Sequence, residues 1–210
     1  VMPFPLFDRS KLNILPLGDR ISDIDISIVK ELDTPTVPFE NPKMYELCED
    51  ILAARRRKSE IIMMYGAHVI RAGNAKLMIE MMKKGLITHF ATNGAGGIHD
   101  FEFALCGETC ESVAKYISEG QFGLWKETGI VNDAIKLGMG AGEAIGRYIW
   151  ENNFKYRDFS VLANAYKNHI PATVHIGIGN DIIHEHPNCD GALLGQASYT
   201  DFLIYAKTIE

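Results

Sequence analysis

Apolar and polar positions change rhythm along the chain, and each change marks an element. Residues 1–40 hold no long period: Pro3, Pro5, Pro16, Pro35 and Pro38 interrupt them, and Asp19-Arg20-Ile21-Ser22-Asp23-Ile24-Asp25-Ile26 alternates polar with apolar. This predicts an extended N-terminal arm with one short helix or strand. Such an arm either crosses to a neighbouring subunit or packs on its own surface. Asn41-Pro42 then supplies a cap and a first-turn proline. Met44, Leu47, Cys48, Ile51 and Leu52 follow at helical spacing, predicting a helix to about Lys58. The run Glu60-Ile61-Ile62-Met63-Met64-Tyr65 reads as a strand buried on both faces.

A helix over Asn74–Lys84 ends at Gly85, and Leu86–Thr92 reads as a second buried strand. Helices are expected from about Ile98 to Leu105, then over Thr109–Glu119, Gly129–Leu137, Gly142–Asn152 and Ser160–His169. Pro171 introduces a third strand, 172–177, and the last helix is placed at about Thr200–Lys207. Strands alternating with helices predict an α/β fold with a mostly parallel sheet flanked by helices. The division expected is the arm, 1–40, and a single domain, 41–210. Three strands are few for such a sheet, and the chain stops within a helical pattern, so further strands are expected beyond residue 210.

The chain has 210 residues, 47% of them hydrophobic, and a formal charge of -6, which excludes disordered and collagen-like classes. An acidic balance disfavours nucleic acid and suits a small cationic partner. Arg55-Arg56-Arg57-Lys58 reads as the basic end of a helix rather than a binding patch. No apolar run approaches the roughly 18 residues of a membrane span. The first residues lack a signal-peptide pattern, and Cys48, Cys106, Cys110 and Cys189 include no Cys-x-x-Cys. Reduced thiols in the cytoplasm are expected.

Ligands of open parallel sheets bind beyond the carboxyl ends of the strands. Three glycine-bearing segments fall there: Gly66–Gly73, Asn93–Glu102 and Gly177–His186. The first reads as a phosphate loop with Arg71 as a charge, or as an ordinary connection. In the second, Gly94, Gly96 and Gly97 would let a ligand approach the main chain, with His99 and Asp100 placed for acid–base work; Asp100 alternatively complements the helix start. The third, with His175, carries His184, His186 and Asp181, a set open to metal, polar-ligand or structural readings. Gly138-Met139-Gly140-Ala141-Gly142 follows no clear strand, so Gly142 and Gly146 are expected to permit close helix packing.

In their order these three segments resemble deoxyhypusine synthase and its bacterial and archaeal relatives, over roughly residues 60–205. Gly66–Gly73 looks like the family's NAD loop, Gly94-Ala95-Gly96-Gly97 stands at its Thr-Ala-Gly-Gly loop, and His99-Asp100 takes the place of an acidic pair. Asn180-Asp181 looks like its polyamine-binding Gly-Asp. The resemblance implies a Rossmann-like NAD-binding fold, a homotetramer and an NAD-dependent transferase of the aminobutyl-transfer type. Ala67, His68, Arg71, Gly94, Ala95 and Gly96 would contact NAD. His99, Asp100 and Asp181 would be catalytic, and these three with His186 would hold the amine. Ile176 departs from a family aspartate, and the family's Trp-Gly-Lys segment has no counterpart here. The function expected is therefore that of a relative acting with NAD on a polyamine or other small amine. The alternatives are a metal-dependent hydrolase built on His175, His184, His186 and Asp181, and a non-catalytic NAD-binding oligomer.

Overall fold

A computed structural model describes residues 3–35 and 37–210. Its centre is a three-stranded parallel sheet in the order β2-β3-β5: β2 is Ile62–Tyr65, β3 His89–Asn93 and β5 Ala172–His175. The register pairs Ile62 with His89 and Phe90 with Ala172. Helices flank it: α2 (Ala67–Arg71) and α3 (Ala75–Lys83) connect β2 to β3, and α4 (Gly94–Cys106) leaves β3 directly. A short strand β4 (Glu108–Glu111) follows, then α5 (Val113–Ser118), α6 (Ile130–Ile135), α7 (Ala141–Glu151) and α8 (Val161–Lys167) before β5. The chain closes on α9, Gly191–Ile209.

β3, the middle strand, is buried in four of its five residues, and β5 in three of its four. β2 is an edge, and Met64 is 72% exposed. The expectation of burial on both faces fails there because an apolar run does not report how many neighbours a strand has. The core forms around Phe90, Ile70, Met78, Phe101, Ile145, Leu162 and Val174. Each such side chain stabilises by about 1.5–3 kcal/mol on burial. Gly142 and Gly146 do serve packing. A methyl group on Gly142 would overlap the Ala172 carbonyl, and one on Gly146 the Leu162 carbonyl. Asp201 of α9 ties these elements together, accepting from Gly142 N (2.9 Å) and Val174 N (2.7 Å).

Where an element begins is less well read from the pattern. α4 starts at Gly94, four residues before the expected place, because the Asn93 side chain caps Gly96 N and outweighs the poor helix propensity of the glycines. The expected helix at Thr109–Glu119 is strand, then helix, since β4 pairs antiparallel with β1 (Ser22–Asp25) of the arm. α9 begins nine residues earlier than expected, at Gly191, because the Asp190 side chain caps both Ala192 N and Leu193 N. α1 (Pro42–Arg57) lies where its spacing and cap place it, and its basic run forms its last turn. Yet none of its residues is buried, so its apolar stripe is not part of this core.

The arm packs on its own chain. Leu15 bridges to Trp125, and Leu17 joins Tyr116 and Trp125 in a second small core. Arg20 reaches inward to α4, and that contact shapes the site.

Candidate functional site

The three segments after β2, β3 and β5 meet at one cavity of about 230 Å³. Arg71 comes from the first, Ala95, Ile98, His99 and Glu102 from the second, and Asn180, Asp181 and Ile182 from the third. Arg20, Cys110, Glu111, Val113 and Phe122 complete the wall. Right-parallel strands followed by helices place such loops together at the carboxyl edge.

Its charges fall into two groups. Arg20 and Glu102 form a buried ion pair, Nη1 to Oε1 at 2.8 Å and Nη2 to Oε2 at 3.2 Å. Thr128 Oγ1 donates to Glu102 Oε1 and Thr109 Oγ1 to Oε2, each at 2.6 Å. Four donors thus converge on one carboxylate. Glu111 is likewise satisfied, by Gly123 N at 2.9 Å and Trp125 Nε1 at 2.7 Å. The second group is unsatisfied. Arg71 Nε is buried with no hydrogen-bond partner. The Asp181 side chain is 9% exposed, and the nearest group able to carry positive charge is His184 Nε2 at 3.9 Å. Burial pushes the Asp181 carboxyl above its usual range.

His99 Nδ1 lies 2.7 Å from Thr109 Oγ1. Burial, reinforced by Arg71 and Arg20, drives its pKa down to about 4, so the ring is neutral near pH 7. Cys110 stands beside it, 3.8 Å from the same nitrogen, at φ +64, a left-handed conformation unusual for cysteine.

Several expected residues lie elsewhere. Asp100 is buried on the other side of α4. It accepts from Ser160 Oγ (2.5 Å), Val161 N (2.8 Å) and Leu162 N (3.1 Å), capping α8. That contact replaces its expected place between cofactor and substrate. His186 is 3% exposed and donates from Nε2 to Gly123 O at 2.8 Å, so it faces the interior instead of an amine. The glycines also act differently from expectation. The space at Gly94 is filled by the Asp181 carboxylate, at Gly96 by Thr92 and at Gly97 by Ile145 and Val174. Each missing Cβ thus makes room for the chain's own side chains. Ala67 is buried, whereas His68 is exposed on α2.

The histidines do not form a metal cluster. His175 pairs with Thr173 Oγ1, His184 Nδ1 accepts from Gly179 N and Asp181 N, and His186 binds Gly123 O. Among the described residues no group of three histidine, cysteine, aspartate or glutamate side chains could hold a metal ion, so the hydrolase reading gains no support. Sequence reading also missed Arg20, Glu102 and Thr109. The one available signal was the polar–apolar alternation of the arm, which identifies a strand but not the side chain it carries inward.

No family model matches the chain. No curated relative matches it either. Solved structures do share its fold. The apo structure of ArgZ, an arginine dihydrolase from the ornithine–ammonia cycle in cyanobacteria, superposes with a TM-score of 0.51 at 17% identity, over 84% of this chain and 23% of that one. The ternary complex of AgrE with ornithine and NAD+ gives 0.50 at 15% identity, over 83% and 24%. An AgrE mutant bound to L-arginine gives 0.50 at 16% identity, over 83% and 24%. The chain thus spans about a quarter of the length of these proteins. These solved structures are of ArgZ, an arginine dihydrolase, and of AgrE, not of a deoxyhypusine synthase. The expected family, its aminobutyl transfer and its polyamine substrate are corrected accordingly. Among the described residues no helix is long and apolar enough to cross a membrane.

Proposed function

We propose that this chain is a Rossmann-like, dinucleotide-binding part of an NAD-dependent enzyme of amino-acid metabolism. NAD would lie along the carboxyl edge of the sheet and a small amino acid in the cavity below. The observation that carries this reading is the convergence of three separate loops on one cavity beside a buried donor, Arg71 Nε, that has no hydrogen-bond partner among the described residues. Two further findings support it. A structure with the same fold was crystallised with ornithine and NAD+. The cavity, at about 230 Å³, suits an amino acid or one ring of a cofactor rather than a whole dinucleotide.

The residues fit NAD at one point and not at another. Arg71 can take a phosphate, and a buried donor without a partner is costly until something accepts from it. The start of α4 cannot, because Asp181 already places a carboxylate over Gly94. Arg71, with exposed His68 and the rim at Ala95, would therefore hold the cofactor, while Ala67 packs beneath and Gly94 and Gly96 shape the turn. When bound, NAD supplies a hydride acceptor. The chain's own part is to fix the cofactor by charge and to present acceptors to the substrate.

Titration calorimetry with NAD+ tests this. Saturable binding is expected, weakened roughly ten-fold in Arg71→Met by loss of one charge-assisted contact. Absence of saturable NAD+ binding, or an Arg71→Met variant that binds as tightly as the parent, overturns it.

A further inference from the structure

The hydrogen bonds around His99 form a directed chain. Glu102 is ion-paired with Arg20 through both of its oxygens, and the Thr109 hydroxyl donates to it. With its proton committed, Thr109 Oγ1 can only accept from His99 Nδ1, 2.7 Å away. The neutral ring therefore carries its proton on Nδ1 and leaves Nε2 as a bare acceptor. His184 shows the opposite arrangement. Its Nδ1 accepts two backbone N–H groups, so its proton sits on Nε2, 3.9 Å from the Asp181 carboxylate.

We infer that His99 Nε2 and the Asp181 carboxylate are the acceptors of an ammonium subsite in this cavity, with Thr109 and Glu102 as positioning residues. Both acceptors line the same cavity. Of the two arginines that line the cavity, Arg20 is tied to Glu102, and Arg71 Nε has no hydrogen-bond partner among the described residues, Asp181 included. A protonated amino group brings three donors and a charge to a carboxylate that has no cation of its own. A carboxylate or phosphate would meet two acceptors and be rejected there. The ligand class is thus a small amino acid entering amino end first. This choice of ligand rests on the function proposed above, while the tautomer of His99 rests on hydrogen-bond geometry alone.

Two measurements on the whole chain test the inference. Nitrogen-15 spectra of the imidazole side chains, assigned through loss of the His99 signals in His99→Phe, should show Nδ1 protonated and Nε2 not at neutral pH. Thr109→Val should abolish that preference, and Thr109→Ser should restore it. In the presence of NAD+, titration with L-ornithine should weaken about ten-fold or more in Asp181→Asn and in Thr109→Val, with NAD+ affinity unchanged. A His99 ring protonated on Nε2 in the parent, no binding of L-ornithine, or ornithine affinity unchanged in both variants overturns the subsite. If ornithine binds as described while NAD+ does not, the subsite stands and the dinucleotide reading falls.

Discussion

Asp100 and Glu102 stand two residues apart on α4, both are 1% exposed, and they face different neighbours. Asp100 turns to the start of α8 and accepts only neutral donors, two backbone N–H groups and the Ser160 hydroxyl. Glu102 turns to the cavity wall and is paired with a full cation, Arg20. The difference explains their chemistry. Burial lifts Asp100 to about 6, since dipoles alone offset only part of the lost hydration. Glu102 instead accepts from a guanidinium and two hydroxyls. One face of α4 therefore joins helices, and the other holds a fixed charge against which His99 is oriented.

The largest effect should come from removing one partner of the buried pair. Glu102→Gln leaves Arg20 as an uncompensated cation, which costs about 3–5 kcal/mol. The double variant Arg20→Met, Glu102→Leu should recover most of that loss, because it buries apolar groups in place of both charges. Urea denaturation of the two variants measures this. A single variant that loses less than the double one would show that the pair does not hold the wall.

Asp100 should respond differently, through pH. Its folded pKa, about 6, is above the ordinary 3.8, so the folded state binds the proton more tightly than the unfolded chain. Its contribution is then fully present below pH 3.8 and is lost as pH rises through 6. Asp100→Asn cannot titrate. The stability gap between parent and variant should therefore fall between pH 4.5 and 7.5, by an amount on the order of 2 kcal/mol. A gap that is constant or widens with pH would show that burial does not favour the protonated form of Asp100.

How much of this the sequence reveals depends on the range of the interaction. α1, α3, α7 and α8 are legible because period is local and, in α1 and α8, a side-chain cap is too, while β3 occupies the second half of the run Leu86–Thr92 and ends one residue beyond it, at Asn93. The meeting of three loops at one edge follows from strand–helix alternation alone. The arm's contribution does not: Arg20 and Glu102 are 82 residues apart, and nothing local to either residue announces the other. Asp100 and His99 look equivalent in sequence, yet adjacent helical positions point about 100° apart, so one reaches the cavity and its neighbour reaches α8. The glycines mislead for a similar reason. A missing Cβ shows that something approaches, and only coordinates show that it is Asp181 and Thr92.

The smallest stability effect should fall on the cavity face itself. His99→Phe removes one hydrogen bond, to Thr109, and leaves Glu102 with Arg20, Thr128 and Thr109 as donors. The neutral ring makes no ion pair whose loss would strand a charge, so the expected loss is about 1 kcal/mol. Thermal denaturation of His99→Phe against Glu102→Gln sets the two scales side by side. A loss for His99→Phe as large as for Glu102→Gln would mean that the ring itself supports the wall, and that the carboxylate does not stand independently of it. A small loss, together with a marked fall in ornithine affinity, would separate the group that holds the cavity open from the group that meets the ligand.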